Sequence, residues 1–130
     1  MYLQTTTPTG SYILNEYQKF TDTTAVYRDS IDSINDITAL KEKLKIAYAG
    51  LELADEAGEC LGKIKKHLRG DRSFEETREL IKGELGDVFY PLACLCTEFG
   101  FTMEEVIEYN RKKLQSRLDR NMIKGDGDDR

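Results

Sequence analysis

The sequence is poor in the residue types that build common transition-metal sites. It has one histidine, His67, and three cysteines, at positions 60, 94 and 96, that form neither a CxxC pair nor a zinc-finger spacing. An odd number of thiols fits a reducing cytosol, and free cysteines in folded proteins are usually buried as small hydrophobes. We therefore expect reduced, buried thiols and neither a zinc site nor a disulfide framework.

Long hydrophobic runs and basic segments are also missing. No apolar run approaches the roughly 18 residues that cross a bilayer, and no signal peptide is found, which predicts a cytoplasmic protein without a membrane partner. The net charge is −5, and no dense run of Lys and Arg is present to neutralise a phosphate backbone. We therefore do not expect nucleic acid as a partner.

What the chain does have is helical periodicity. Its 130 residues are 39% apolar and 33% charged, which is typical of one helix-rich domain that completes its core by oligomerising. No strand pattern is found, so we predict an all-α bundle of four to five helices. Apolar residues recur at helical spacing from 37 to 68 in the second of four predicted helices. The first is predicted at about 15–26, the second from its cap at 35 or 36 to 68, the third from 73 to about 98 and the fourth from 102 to about 121.

Outside these segments we expect irregular structure. Residues 1–10 read as a loose lead-in, residues 27–35 as a loop without a period, and residues 124–130 as a disordered tail. The predicted domain is therefore 1–123.

Helix boundaries are marked by capping signals. Three pairs have the spacing of a capping box, in which a side chain at the helix start and one three residues later exchange hydrogen bonds. They are Asn15–Gln18, Ser73–Glu76 and Thr102–Glu105. Asn35 or Asp36 is expected to cap the long second helix, and Gly70 and Gly100 to end the helices before them.

One face of the second helix carries carboxylates. Glu52, Glu56, Glu59 and Lys63 fall within roughly a 60° arc, because spacings of three, four and seven residues share one face of a helix. Most of the remaining circumference is apolar, so we expect this helix to be buried on several sides. Carboxylates in such a setting must be protonated, paired with cations or bound to a metal.

Two acid pairs form the predicted centre. Glu56 and Glu59 lie one turn apart on the second helix, and Glu84 and Asp87 one turn apart on the third. A short turn at residues 69–73 joins the two helices, so they should pack antiparallel with both pairs at a similar distance from the turn. Converging carboxylates suit Mg²⁺, or Mn²⁺ as a substitute.

Cationic side chains are expected beside these acids. On the fourth helix Asn110, Lys113 and Arg117 share a face, and Lys63 and Lys66 extend the acidic stripe of the second helix. Cations next to an acidic metal site suit a polyphosphate ligand, whose charge must be balanced where it lies.

Three segments carry a family resemblance: L-A-D-E-A-G-E-C, E-L-G-D-V-F-Y and N-R-K-K-L-Q-S-R. Together they resemble the MazG-like all-α nucleoside triphosphate pyrophosphohydrolases, whose signature is EExxE, a spacer and ExxD. The lead-in L-N-E-Y-Q-K-F resembles the short bacteriophage-type members, and similarity covers roughly residues 13–118. Asp55 replaces the first Glu of EExxE, and Pro91 stands where the family usually has an aromatic or aliphatic residue.

The resemblance implies Mg²⁺-dependent hydrolysis of a nucleoside triphosphate, preferably a deoxynucleotide, between the α and β phosphates to give the monophosphate and pyrophosphate. It also implies a homodimer or homotetramer. Four acids match the family's metal ligands, one of which can instead orient or deprotonate the attacking water: Glu56, Glu59, Glu84 and Asp87. The N-x-x-K-L-x-x-R pattern implies three residues that grip the phosphates: Asn110, Lys113 and Arg117.

Other interpretations compete with this one. The acids could form solvated salt-bridged faces, and the aromatic residues Tyr48, Phe89 and Tyr90 are expected in the core rather than in a base-stacking wall. A di-iron bundle would need ExxH motifs, but His67 has Ile64 three residues before it. A non-enzymatic helical adaptor that dimerises through apolar stripes is the remaining alternative. Against it we expect the helix-interior glycines to permit close helix approach, which an adaptor does not need. These are Gly58, Gly83 and Gly86.

Overall fold

The computed structural model describes residues 10–127, and every regular element among them is an α-helix. The predicted all-α class is therefore confirmed, with five helices in the described part of the chain. In chain order they are α1 (Gly10–Thr24), α2 (Tyr27–Asp32), α3 (Ile37–Leu68), α4 (Phe74–Phe99) and α5 (Met103–Asp119). None of them is both long and apolar enough to serve as a membrane span.

The chain divides into two compact units, residues 1–40 and 41–130. The first contains α1, α2 and the first turn of α3. Two predictions about it are wrong. The helix predicted at 15–26 begins at Gly10, because no breaker follows that residue, so Asn15 lies inside α1 and does not cap it. Residues 27–35 were expected to be a loop, but most of them form α2.

A local reason for α2 is visible in its side chains. Residues 27–32 contain neither Gly nor Pro. Asp29 lies in the first turn, where its negative charge interacts favourably with the helix dipole. The Ser30 hydroxyl donates to the Val26 carbonyl at 3.3 Å.

At the start of α3, Asp36 Oδ1 accepts a hydrogen bond from the Thr38 N–H at 2.8 Å and so caps the helix. The predicted cap at Asp36 is therefore confirmed.

The second unit consists of α3 from Lys41 onward, α4 and α5. Its helix ends follow the capping signals. Ser73 and Thr102 form the predicted capping boxes at the starts of α4 and α5. After α4, Gly100 has φ +75°, and the Phe101 N–H reaches the Cys96 carbonyl at 2.8 Å. This bond satisfies a carbonyl that has no partner within the helix, and it requires the left-handed conformation that Gly100 adopts.

Burial in this unit differs from the expectation. In α3 only Ala49 is buried, whereas Leu51 and Leu61 are 72% and 66% exposed, so the prediction that this helix is buried on several sides is wrong for the single chain. The three cysteines are free, as predicted, but half-buried rather than buried. Pro91 is fully buried inside α4.

The predicted lead-in at residues 1–10 lies outside the described residues except for Gly10, which begins α1. Residues 124–127 of the predicted tail contain no helix, and the rest of the tail lies outside the described residues. The domain limits and the disorder of the tail stay predictions.

Candidate metal centre and nucleotide pocket

Three carboxylates from two helices meet in the second unit. Glu56 of α3 and Glu84 and Asp87 of α4 each offer an oxygen, and these three oxygens lie within 4.8 Å of one another. Lys63 of α3 also reaches Glu84, so higher numbers on α3 face lower numbers on α4, as in an antiparallel pair. The structure therefore brings together three of the four acids predicted to bind metal. We call these three residues the acidic cluster.

The negative charge of the acidic cluster affects the pKa of Glu56. Loss of hydration on the half-buried side chain raises the pKa of Glu56, and the negative charges of Asp87, Glu59, Asp55 and Glu84 raise it further. A carboxylate that is disfavoured in this way gains from any cation placed beside it. The donor set is oxygen only, which fits Mg²⁺ or Mn²⁺ rather than a softer metal.

Glu59, the fourth predicted acid, stands apart from the acidic cluster. Its Oε2 lies 3.6 Å from Lys63 Nζ, and its side chain is 54% exposed. The same ammonium lies 2.9 Å from Glu84 Oε1, and its side chain is only 22% exposed. Lys63, expected at the phosphates, therefore bridges an acid of the cluster and one outside it. The hydrogen bond with Glu84 raises the pKa of Lys63.

The remaining predicted cations lie in different surroundings. Lys66 is in the last turn of α3, where its charge helps to lower the pKa of Asp71, mainly lowered by the hydrogen bond with Arg69. Ten residues separate Lys66 from Glu56, or about 15 Å along a helix. On α5, Asn110 is exposed, Lys113 is half-buried and Arg117 is buried, at 6% exposure. These three are therefore not an ordinary exposed stripe.

Two adjoining pockets open beside the acidic cluster. One, of about 420 Å³, is lined by Glu56 itself together with Tyr48 and Glu52. The other, of about 380 Å³, shares Tyr48 and Glu52 and adds Tyr90 of α4. The far lining of the second pocket includes Lys45, Cys94 and Glu98. We call this second pocket the tyrosine pocket.

Lys45 and Glu98 were not among the site residues predicted from the sequence. A signal for the first was available, because Lys45, Tyr48 and Glu52 precede Glu56 at steps of three and four residues, on the same helix face. The Tyr90 hydroxyl lies near Cys94, whose charge and hydrogen bond raise the pKa of Tyr90, with Glu52 contributing.

Two expectations about the packing of this region are wrong. Tyr48, Phe89 and Tyr90 were predicted in the core, yet they are 69%, 59% and 64% exposed, because no helix among residues 10–127 covers their faces. Phe89 lines a separate apolar groove of about 660 Å³ with Ile64. Close helix approach was also expected at the helix-interior glycines, but a Cβ would meet no atom within 4 Å at any of them. These are Gly58, Gly83 and Gly86.

Comparison with known proteins adds to this geometry. A family model described as the MazG nucleotide pyrophosphohydrolase domain matches residues 47–121. The gene 37 protein of Mycobacterium phage L5 is 39% identical over 87 residues, which cover 65% of this chain and 76% of that protein. No solved structure matches the chain. Because the family model covers both acid pairs and all of α5, the resemblance read from the motifs is confirmed, and the chain belongs to the MazG nucleotide pyrophosphohydrolase family.

Proposed function

We propose that this protein hydrolyses nucleoside triphosphates between the α and β phosphates in the presence of Mg²⁺, giving the monophosphate and pyrophosphate, with deoxynucleotides preferred. The observation that carries the proposal is the acidic cluster, in which Glu56, Glu84 and Asp87 converge from two helices in a chain of the MazG family. An adaptor that used its acids only for solubility would have no reason to bring them together, since like charges at this distance repel.

The acidic cluster would hold the divalent ion. When bound, Mg²⁺ or Mn²⁺ supplies positive charge that polarises the phosphoryl oxygens and balances the charge of the leaving pyrophosphate. Glu59 is proposed as a further ligand, which requires its carboxylate to leave Lys63. One carboxylate of these four residues would orient or deprotonate the attacking water.

The cationic residues would bind the phosphates. Lys63 already lies against Glu84, so its ammonium is at the edge of the acidic cluster, where the phosphate charge would be placed. On α5, the burial of Arg117 and the partial burial of Lys113 favour fixed side chains, and a fixed guanidinium binds phosphate oxygens in a fork. Asn110 and Lys66 are proposed in the same role from the sequence pattern alone.

A pyrophosphate-release assay tests the proposal. The purified protein is incubated with the four deoxynucleoside and four ribonucleoside triphosphates, with Mg²⁺ and with EDTA. We expect pyrophosphate and a monophosphate with Mg²⁺ only, faster from deoxynucleotides, and a strongly reduced rate of release by Glu84→Gln. The matched control is Glu104→Gln, which removes one exposed charge from the first turn of α5. Release of inorganic phosphate instead would contradict cleavage between the α and β phosphates, and equal ribo and deoxy rates would contradict the sugar preference.

We also propose that the protein works as a homodimer or homotetramer. Large apolar side chains stay exposed on α3 and α5, among them Leu51 at 72%, Leu61 at 66% and Leu118 at 60%. Apolar surface of this extent on one chain is typical of a surface that a partner covers. Light scattering coupled to gel filtration should give two or four times 14.9 kDa, whereas a monomer at micromolar concentration would contradict this proposal. A cytoplasmic location stays a prediction.

A further inference from the structure

The tyrosine pocket begins about one helical turn from the acidic cluster and extends away from it. Glu52 is four residues from Glu56, and Tyr90 is three residues from Asp87, so both lie about 5–6 Å along the helix from a cluster acid. Lys45 and Glu98 are each eleven residues from the same two acids, or about 16 Å. A nucleotide whose phosphates lie at the acidic cluster would therefore place its sugar and base along this pocket.

The walls of the pocket suit a flat aromatic ligand. Tyr48 of α3 and Tyr90 of α4 both line it, and both rings are largely exposed rather than packed against other side chains. Stacking on an aromatic side chain does not depend on which base is present, because every base has a π-face. A volume of about 380 Å³ is within the range of ligand pockets. The tyrosines would therefore hold a base without selecting one.

Selection among bases would come from the end of the pocket farthest from the acidic cluster, where one cation and one carboxylate line the wall. Lys45 is a donor only, and ionised Glu98 is an acceptor only. This pair requires a base edge that presents a carbonyl oxygen beside N–H groups. Guanine presents O6 beside N1–H and the 2-amino group, so two parallel donors meet the two carboxylate oxygens while O6 faces the ammonium.

The other bases match the pair less well. Adenine has an amino group but no carbonyl for Lys45. Cytosine places a ring nitrogen that accepts, rather than donates, next to its amino group, and this atom would face the carboxylate. Thymine and uracil offer one N–H between two carbonyls, so one carboxylate oxygen would oppose a carbonyl.

We propose that the tyrosine pocket is a guanine site, in which Tyr48 and Tyr90 stack on the base, Glu98 accepts from N1–H and the 2-amino group, and Lys45 donates to O6. This rests on the proposed function, because it takes the acidic cluster as the place of the phosphates. It makes dGTP the preferred substrate.

Calorimetric titration with monophosphates tests base selection without hydrolysis. We expect dGMP to bind at least about tenfold more tightly than dAMP, dCMP or dTMP, a difference of about 1.4 kcal/mol. The probe dIMP keeps O6 and N1–H but lacks the 2-amino group, so it should fall between dGMP and dAMP. In Glu98→Gln the ratio of dGMP to dAMP affinity should fall to about threefold or less, because the amide replaces one acceptor by a donor. Glu104→Gln should keep the full ratio.

The two proposals fail in different ways. Equal affinity for the four monophosphates, no measurable binding, or an unchanged ratio in Glu98→Gln overturns the guanine site, even if all four triphosphates are hydrolysed. Selective dGMP binding that Glu98→Gln removes supports the guanine site, even if pyrophosphate release is absent and the proposed hydrolysis fails. Thermal unfolding of each variant, followed by circular dichroism, checks that lost binding is not lost folding.

Discussion

The acid pairs of α3 and α4 have the same spacing but different surroundings. On α4 both Glu84 and Asp87 belong to the acidic cluster, whereas on α3 Glu56 belongs to it and Glu59 does not. Pairing with Lys63 does not explain this difference, because the ammonium lies 3.6 Å from Glu59 and 2.9 Å from Glu84. The two acids differ in exposure, since the side chain of Glu59 is 54% exposed and that of Glu84 only 12%. Helix spacing sets which side chains share a face, and the packing between helices sets which of them converge.

The same lysine marks the boundary between the acidic cluster and the rest of the stripe. Lys63 is held by Glu84 at 2.9 Å and is mostly covered, so its charge offsets part of the repulsion inside the cluster. Among residues 10–127 no cation lies within ion-pair distance of Glu56, and its pKa is raised. We therefore expect mutation of a cluster acid to lower activity more than mutation of Glu59.

The largest expected effect is the loss of a cluster acid. Glu84→Gln keeps the side-chain shape but removes the charge, so kcat/KM for pyrophosphate release should fall on the order of 10²–10³-fold, as when one charge-stabilising group is removed from an active site. Calorimetry with Mn²⁺ should show weaker metal binding in the same variant. Activity within threefold of the parent protein would contradict a metal role for Glu84.

A smaller loss is expected at the acid outside the cluster. Because Glu59 is half-exposed and has to leave Lys63 before it can bind the ion, we expect it to be the weakest of the four ligands, and Glu59→Gln should lower kcat/KM only about tenfold. The assay is the one used for Glu84→Gln. A loss as large as that of Glu84→Gln would mean that the pairing with Lys63 does not weaken the ligand role of Glu59, and that the two acid pairs are equivalent.

Replacing Lys63 is expected to strengthen metal binding, whereas replacing an acid weakens it. Lys63→Met keeps the length of the side chain but removes a positive charge beside Glu84, so Mn²⁺ should bind a few-fold more tightly, while KM for the triphosphate rises a few-fold. Lys41→Met, an exposed lysine in the first half of α3, is the matched control and should change neither quantity. Weaker Mn²⁺ binding in Lys63→Met would contradict the view that this ammonium competes with the ion.

The sequence was a good guide to helix ends. The capping boxes at Ser73 and Thr102, and the stops at Gly70 and Gly100, depend on hydrogen bonds between residues a few positions apart, so the pattern contains all of the interacting groups. The failure at Asn15 is also local, because a capping residue type does not force a helix to start where the upstream residues also favour helix. At α2 the missed signal was the absence of Gly and Pro from residues 27–32, with Asp29 in the first turn.

The faces of the helices were harder to predict. Periodicity places Leu51 and Leu61 on an apolar face, but it cannot say whether this chain or another copy covers that face. The acid pairs were found because spacing and a helical hairpin suffice to bring them together. The position of Glu59 outside the cluster depends on how the side chains of two helices pack, and the far end of the tyrosine pocket depends on the pairing of residues 45 and 98, which lie 53 positions apart.

The smallest expected effect concerns the capping box at the start of α4. Its loss should lower the stability of the fold and leave the activity unchanged. The backbone N–H and the hydroxyl of Ser73 donate to Glu76 and lower the pKa of that carboxyl below its ordinary 4.5. Glu76 therefore stabilises the fold above pH 4.5, and this contribution is lost as the pH falls through the lowered pKa. In Glu76→Gln the melting temperature should be slightly reduced at pH 7, and its difference from the parent protein should shrink as the pH falls below 4.5 and disappear once Glu76 of the parent protein is protonated. Pyrophosphate release at pH 7 should be unchanged, since the cap at the start of α4 lies two turns before Glu84. An activity loss without a lower melting temperature would show that this cap affects the site directly, and the separation of the two regions would be wrong.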